Sequence, residues 1–392
     1  MSKLSRRLLE VTAAVAVIAA IGWWLIHVPA VQDAIFRRVI ESTLASTRDD
    51  LLAPDALRVV LCGTGNPLAD RERAAACTAI FAGGKIYLVD MGPGAWKNLS
   101  LWRIPAPQIA AVLFTHFHSD HIGDLGEANL ESWAQGRDHP LRVYGPPGVE
   151  QVVHGFEEAY SLDEGYRIAH HGAALMPAAN WQMQPLAVKI DTQPGASPCA
   201  GGSATVLDEN GLQVTAFTVD HTPVAPAYGY RFDYKGRSVV VSGDTKTCAN
   251  LVAVATGADV LIHEAQAAHL VKLIEQAAEH IGNARIAKIM SDIQRYHTTP
   301  VQAATEANEA GIQLLVLSHI GPPTPNELAR IAFMRGVSDV RPEGVVLGYD
   351  GTLLTLPVGS KEIESSSLRE QFCLLVSPAK LTGWTPTVSS LP

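Results

Sequence analysis

Positive charge is in short supply in this sequence. Lys and Arg number 30 against 39 Asp and Glu, a formal net charge of -9 over 392 residues. That balance argues against a protein held to nucleic-acid phosphates by a broad basic surface. Cysteine is scarce as well. Cys62, Cys77, Cys199, Cys248 and Cys373 are too few and too scattered for a disulfide-built scaffold, and none forms a C-x-x-C pair. Glycine and proline are near ordinary usage, which excludes collagen-like and Pro-rich low-complexity chains. Gly63-Thr64-Gly65-Asn66 lacks the Lys-Ser/Thr ending of a phosphate loop, and Gly92-Pro93-Gly94 is no dinucleotide fingerprint. Both read as tight turns. No short-period repeat is present. What is there is 47% hydrophobic and 18% charged, enough apolar material for one large domain or two ordinary ones.

The one long apolar run lies at the N-terminus. Lys3, Arg6 and Arg7 precede a stretch from Val11 to Val28 rich in Ala, Val, Ile and Trp. Residues 1–30 therefore read as a signal peptide or a membrane anchor, with residues 8–28 in the bilayer. Small residues at Val28-Pro29-Ala30 suit signal peptidase, and the run is nearly long enough to span uncleaved, so both readings stand. The basic flank places the rest outside the cytoplasm, periplasmic or anchored to the inner membrane. Those thirty residues hold three basic side chains and one acidic (Glu10), so the remainder is more acidic than the whole, at -11. Residues 31–56 read as a helical linker closed by Asp49, Asp50 and Pro54.

Strand signals then begin. Leu57–Leu61 runs into the Gly63 turn, and Thr78–Phe81 and Lys85–Val89 flank Gly83-Gly84 as a hairpin. Ile109–Thr115 and Leu141–Tyr144 are further strands. Residues 149–203 differ: a helical piece over 148–161 precedes a long irregular stretch ending near Pro198, which predicts an insertion. The pattern resumes at Leu212–Val219, Tyr228–Tyr234, Ser238–Ser242 and Val260–His263. A long helix is predicted over 265–291, with shorter ones over 301–310 and 326–336. Leu314–Ser318 and Val345–Leu347 are strands. Two halves, each mostly strands followed by helices, predict an α/β (α+β) four-layer αββα sandwich over 57–356. Residues 357–392 form a C-terminal extension with one apolar run, Phe372–Val376.

The chemistry is concentrated at strand ends. His116, His118, Asp120 and His121 occupy six positions directly after an apolar strand. His116 and His118, two apart, share a side of extended backbone. His221, Asp244 and His319 each follow other apolar strands. Imidazole suits ions such as Zn²⁺, and a carboxylate keeps a hard edge for water. Together these side chains are enough for two ions sharing a carboxylate.

This set resembles the metallo-β-lactamase superfamily over about residues 57–356. The resemblance implies that His116, His118 and His221 hold one Zn²⁺, that Asp120, His121 and His319 hold the other, and that Asp244 bridges them. Mn²⁺ or Fe²⁺ are alternatives to zinc. Ser242-Gly243-Asp244-Thr245, Leu261-Ile262-His263-Glu264-Ala265 and His297-Thr298-Thr299 resemble the branch of tRNA 3′-processing endonucleases, certain phosphodiesterases and a zinc-dependent arylsulfatase group. By that resemblance His297 faces the leaving group and Glu264 orients it. His263 and His297 also fit as satisfied structural residues.

A two-ion site supplies hydroxide at neutral pH, and Asp120 would hold its proton. Segment 149–203 lacks the basic arm of the nucleases, and Pro140–Pro146 looks closer to the arylsulfatase-like members. The expectation is therefore a binuclear zinc hydrolase of a small sulfate or phosphate ester, with a small-molecule partner, nucleic acid unlikely and a homodimer compatible. The alternatives are a tRNA 3′-processing-type endoribonuclease, a lactonase or β-lactamase, and a non-catalytic metal-binding protein. Outside the cytoplasm, Cys62 with Cys77 and Cys199 with Cys248 are the pairs to weigh against buried free thiols.

Overall fold

A computed structural model of the chain describes residues 3–191, 195 and 197–369. The chain divides into a unit ending at Arg48 and a body beginning at Asp49. The first unit consists of α1 (Lys3–Leu25) and α2 (Pro29–Leu44). α1 is long and apolar enough to cross a membrane. Pro29 opens α2 at its first turn, where a missing N–H costs nothing.

The body holds fifteen described strands. The first half supplies β1 (Ala56–Gly63), β2 (Cys77–Ala82), β3 (Lys85–Val89), β4 (Ile109–Leu113), β5 (Leu141–Gly145) and β6 (Met183–Ala187). The second supplies β7 (Ser203–Glu209), β8 (Leu212–His221), β9 (Val224–Tyr234), β10 (Arg237–Val241), β11 (Val260–Gln266), β12 (Leu314–Gly321) and β13 (Val345–Leu347). β14 (Thr352–Pro357) and β15 (Glu364–Ser367) return to the first half. One sheet runs β15-β14-β1-β2-β3-β4-β5-β6 and the other β13-β12-β11-β10-β9-β8-β7.

Alternation within the strands builds the layers. Leu57, Val59 and Leu61 face the inter-sheet core with Ile80, Tyr230, Val239 and Ile262. Val60 and Phe81 point the other way, onto Trp96, Leu99, Leu125 and Val149 of the covering helices. On the second sheet, Val240, Leu261 and Leu315 pack outward on Leu251, Ala303, Ala304 and Phe333. Both sheets are thus covered on both faces, which is why their central strands are apolar throughout. This is the expected αββα sandwich.

Several expectations need correction. The helix expected over 148–161 extends from Val149 to His171, held in part by Arg167 bonding to Asp163 and Glu131. The irregular stretch after it contains β6, which extends the first sheet parallel to β5. Segment 149–203 is therefore partly built into the sandwich. The single helix expected over 265–291 is two, Ala268–His280 and Ala284–Ile293. Gly282, at φ +77°, breaks it, and Asn283 restarts it by accepting the N–H of Ile286. The expected run Phe372–Val376 lies outside the described residues.

Disulfides join Cys62 to Cys77 and Cys199 to Cys248, so these four are not free thiols. Cys373 lies outside the described residues.

Candidate metal centre

β4 is parallel to β3 and β5, and β10 to β11 and β12. Two antiparallel steps bring β8 into line with β10. Side chains that follow these strands therefore gather along one edge of the sandwich, where open α/β sheets present their sites. From the end of β4 the chain passes through His116 and His118 into a single turn, Ser119–Ile122, which carries Asp120 and His121. His221 closes β8, and Asp244 follows β10.

His319 reaches the site by a different device. Glu264 of β11 pairs with Ser318, and Ala265 pairs with Ile320, so His319 is an extra residue in β12. Its φ of +49° completes the bulge. A bulge re-aims one side chain out of the ladder, here toward the other ligands.

Asp244 lies at the centre. Its Oδ2 stands 4.0 Å from His116 Nε2, 3.9 Å from His221 Nε2, 3.5 Å from His121 Nε2 and 3.5 Å from His319 Nε2. Three groups of ligand atoms lie here, those of each group within 4.8 Å of one another: His116, His118, His221 and Asp244; Asp120, His121 and His319; and Asp244, His297 and His319. Of the seven expected ligands, His118 is exposed and the other six are buried, so the site opens on the His118 side.

The surrounding bonds fit the residues to cations. His121 Nδ1 bonds Asp90 Oδ2 at 2.8 Å, His221 Nδ1 bonds the Tyr296 carbonyl at 3.1 Å, and His116 Nδ1 bonds Thr115 Oγ1 at 3.0 Å. These contacts leave Nε2 facing inward on each ring. His121 Nε2 and His221 Nε2 are buried with no hydrogen-bond partner, the condition that a metal relieves. Burial drives His116 and His221 below their ordinary values, toward the neutral ligand form. Burial opposes ionisation of Asp244, but His319 and His121 outweigh it and hold the carboxyl well below its usual range. His121 is bracketed by Asp244 and Asp90, which drive it well above its ordinary value in spite of burial. Two carboxylates on one ring call for positive charge at its edge, and a cation at Nε2 supplies it.

Two glycines let the loops close. A Cβ on Gly92 would lie 2.0 Å from the Asp120 carbonyl oxygen. Gly243, at φ +64°, would place one 2.5 Å from the Tyr228 carbonyl oxygen and 3.0 Å from Thr115 Cβ. Side chains there would displace Asp120 and Asp244.

Beside the ligands, Glu264 Oε1 bonds His297 Nδ1 at 2.9 Å and accepts the Thr245 N–H at 2.9 Å. Burial would lower His297, but Glu264 and Asp244 raise it to about 9. His263 points away, as strand alternation requires. Its Nδ1 meets the Glu264 carbonyl at 2.7 Å and its Nε2 meets Glu306 Oε2 at 3.2 Å, a satisfied buried arrangement. All seven expected ligands thus converge, and Glu264 and His297 pair at their margin. Sequence reasoning passed over Asp90, Thr115 and Tyr296. Asp90 carried a usable signal: a carboxylate directly after a buried strand, the same context as Asp244.

The beta-lactamase superfamily domain matches residues 86–320. Ribonuclease Z of Mycobacterium avium (strain 104) is 35% identical over 269 residues, 68% of this chain and 86% of the relative. Ribonuclease Z of Mycobacterium bovis (strain BCG / Pasteur 1173P2) is 36% identical over the same shares. Among solved structures, the short form of human tRNase Z aligns with a TM-score of 0.54 and 20% identity, covering 76% of this chain and 99% of that one. The metallo-β-lactamase fold protein YhfI from Bacillus subtilis aligns with 0.53 and 19%, covering 77% and 100%. Both alignments support the fold. The ribonuclease relatives correct two expectations, the small sulfate or phosphate ester as substrate and nucleic acid as an unlikely partner. Those expectations rested on net charge, a missing basic arm and the likeness of Pro140–Pro146 to arylsulfatase-like members. Net charge averages the whole surface, whereas the local charge of a cation-binding edge is set by what it binds.

Proposed function

Since the chain belongs to the β-lactamase superfamily, in the branch related to tRNA 3′ processing, and is a metal-dependent hydrolase, we propose that it cleaves phosphodiester bonds in RNA in the manner of a ribonuclease Z. The observation that carries this reading is 35% identity to a ribonuclease Z across 86% of that relative. The Glu264–His297 pair beside the ligands supports it.

In this reading the centre would take two Zn²⁺. His116, His118 and His221 would hold one, Asp120, His121 and His319 the other, and Asp244 would be shared between them. When bound, the ions polarise a phosphoryl oxygen and lower the pKa of water. Asp120 accepts the proton of the attacking water and orients it. His297, kept protonated by Glu264, donates to the departing ribose oxygen. Asp90, Thr115 and the Tyr296 carbonyl hold three imidazoles so that Nε2 faces the ions.

The same proposal places the body outside the cytoplasm. α1 carries basic residues in its first turns ahead of an apolar run, and two disulfides suit an oxidising compartment. On that side the substrate is RNA that has left the cytoplasm.

The test is cleavage of a 3′-extended precursor tRNA and of an unstructured RNA by the zinc-loaded protein, beside an Asp120→Asn variant. Wild type cuts at least one of them and the variant falls about 10²–10⁴-fold. A metal-loaded wild type that leaves both RNAs intact overturns the reading. A phosphatase fusion at the C-terminus that is active only outside the cytoplasm supports the location, and an inactive fusion overturns it.

A further inference from the structure

The second helix of the N-terminal unit supplies none of the residues assigned to the metal centre above. None of its described residues is buried. Ile35, Phe36, Val39, Ile40 and Leu44 are all exposed, Phe36 at 67% and Leu44 at 75%. At 100° per residue, Asp33, Arg37, Glu41 and Arg38 fall on one arc of about 140°. Val31, Ile35 and Val39 form one i, i+4 row on the other side, Phe36 and Ile40 form another, and Leu44 falls at the edge of the charged arc. Only uncharged Gln32, Ser42 and Thr43 interrupt that face.

We infer that α2 is an interfacial helix that lies against the outer membrane–water boundary. This rests on the proposed reading of α1 as a membrane-crossing segment. Continuity between the helices identifies the occupant. α1 ends in Trp23 and Trp24, residues that favour the headgroup level. A corner of three residues follows, and it is tied at both sides. His27 Nδ1 bonds the Trp23 carbonyl at 2.6 Å, and Gln32 Nε2 donates to the Ile26 carbonyl at 2.8 Å. A helix that leaves the bilayer through so short a corner starts at the interface. Its apolar rows then meet acyl chains, and its charged arc meets water.

The charges define the binding mode. α2 carries two acidic and two basic side chains, a net charge of zero. Attachment therefore comes from apolar burial rather than from attraction to anionic lipid. It is insensitive to salt and works on zwitterionic membranes.

The experiment uses full-length protein with a site-specific protease sequence inserted between His27 and Val28, reconstituted into phosphatidylcholine vesicles. Sedimentation is measured before and after cutting. Uncut chain in the pellet upholds the crossing helix, and uncut chain in the supernatant overturns that reading and the interfacial helix with it. After cutting, the released portion stays with the vesicles in low salt and in roughly 0.5 M salt, about five times the ~0.1 M at which surface charges are already screened. An I35E/V39E variant loses about tenfold of the bound fraction with an unchanged melting transition, because neither side chain is part of a core. Release of the wild type by the cut overturns the interfacial helix while α1 stands. Retention of the double-glutamate variant also overturns it. A cut chain that dimerises through this face without lipid assigns the face to a second copy and overturns it.

Discussion

His297 Nδ1 lies 2.9 Å from Glu264 Oε1, and the same oxygen accepts the Thr245 N–H one residue after the central Asp244. One carboxylate thus holds both the His297 ring and the loop that carries Asp244. His297→Ala is expected to lower turnover by about 10²–10⁴-fold with metal content unchanged. Glu264→Gln is expected to lower it by less, because the amide still accepts the Thr245 N–H but no longer keeps the ring charged. Steady-state rates alongside metal analysis check both. Loss of metal from His297→Ala would make that side chain a ligand and sink the donor role.

Gly92 makes the Asp120 turn possible, since a Cβ there would lie 2.0 Å from the Asp120 carbonyl oxygen. Both contact atoms are close to backbone and cannot swing aside. Gly92→Ala is expected to cost about 1–3 kcal/mol of stability and to reduce bound metal toward one ion per chain. Denaturant melts and metal counting check it. Two ions with native stability would show that the loop shifts freely.

His263 and Glu306 form a buried pair on the outer face of the second sheet, with side chains 0% and 6% exposed. Burial would lower His263, but Glu306 and the Glu264 carbonyl raise it above its ordinary value. A raised folded value means that the pair's contribution is fully present below about pH 6.5, the unperturbed value, and fades as pH rises through the folded value. His263→Asn is expected to cost about 3–5 kcal/mol at acidic pH and less in alkali. Unfolding free energies of wild type and variant from pH 5.5 to 10 test this. A penalty that grows with pH would contradict it.

The disulfides close loops of 15 and 49 residues in sequence separation. Loop-closure entropy assigns them about 3 and about 4 kcal/mol respectively. Cys62 and Cys77 also frame the loop whose Thr64 carbonyl accepts the Ile320 N–H beside His319. Replacing Cys62 and Cys77 by Ser is therefore expected to lower both unfolding midpoint and metal affinity. The Cys199–Cys248 pair, replaced likewise, is expected to affect stability. Equal effects of the two on metal retention would remove the special place of the first.

Much of the centre was readable along the chain. His116, His118, Asp120, His121, His221, Asp244 and His319 each lie at or just past the apolar part of a strand, and buried strands that deliver polar ends along one edge are a strong local pattern. The αββα layers follow from period-two strands apolar on both faces. The position of α1 follows from hydropathy and its basic flank.

Other features depend on residues far apart in sequence. Asp90 is only a carboxylate two residues ahead of the Gly92-Pro93-Gly94 turn until the fold places it 2.8 Å from His121 Nδ1. The aim of His319 comes from a bulge in pairing with β11, which no pattern within β12 encodes. His263 finds Glu306 across 43 residues, and packing alone distinguishes that structural pair from the Glu264–His297 pair beside it. Net charge, a sum over the entire surface, pointed away from nucleic acid. Local strand pattern thus specifies which side chains reach the edge, while register and packing set which way each one faces and what it touches.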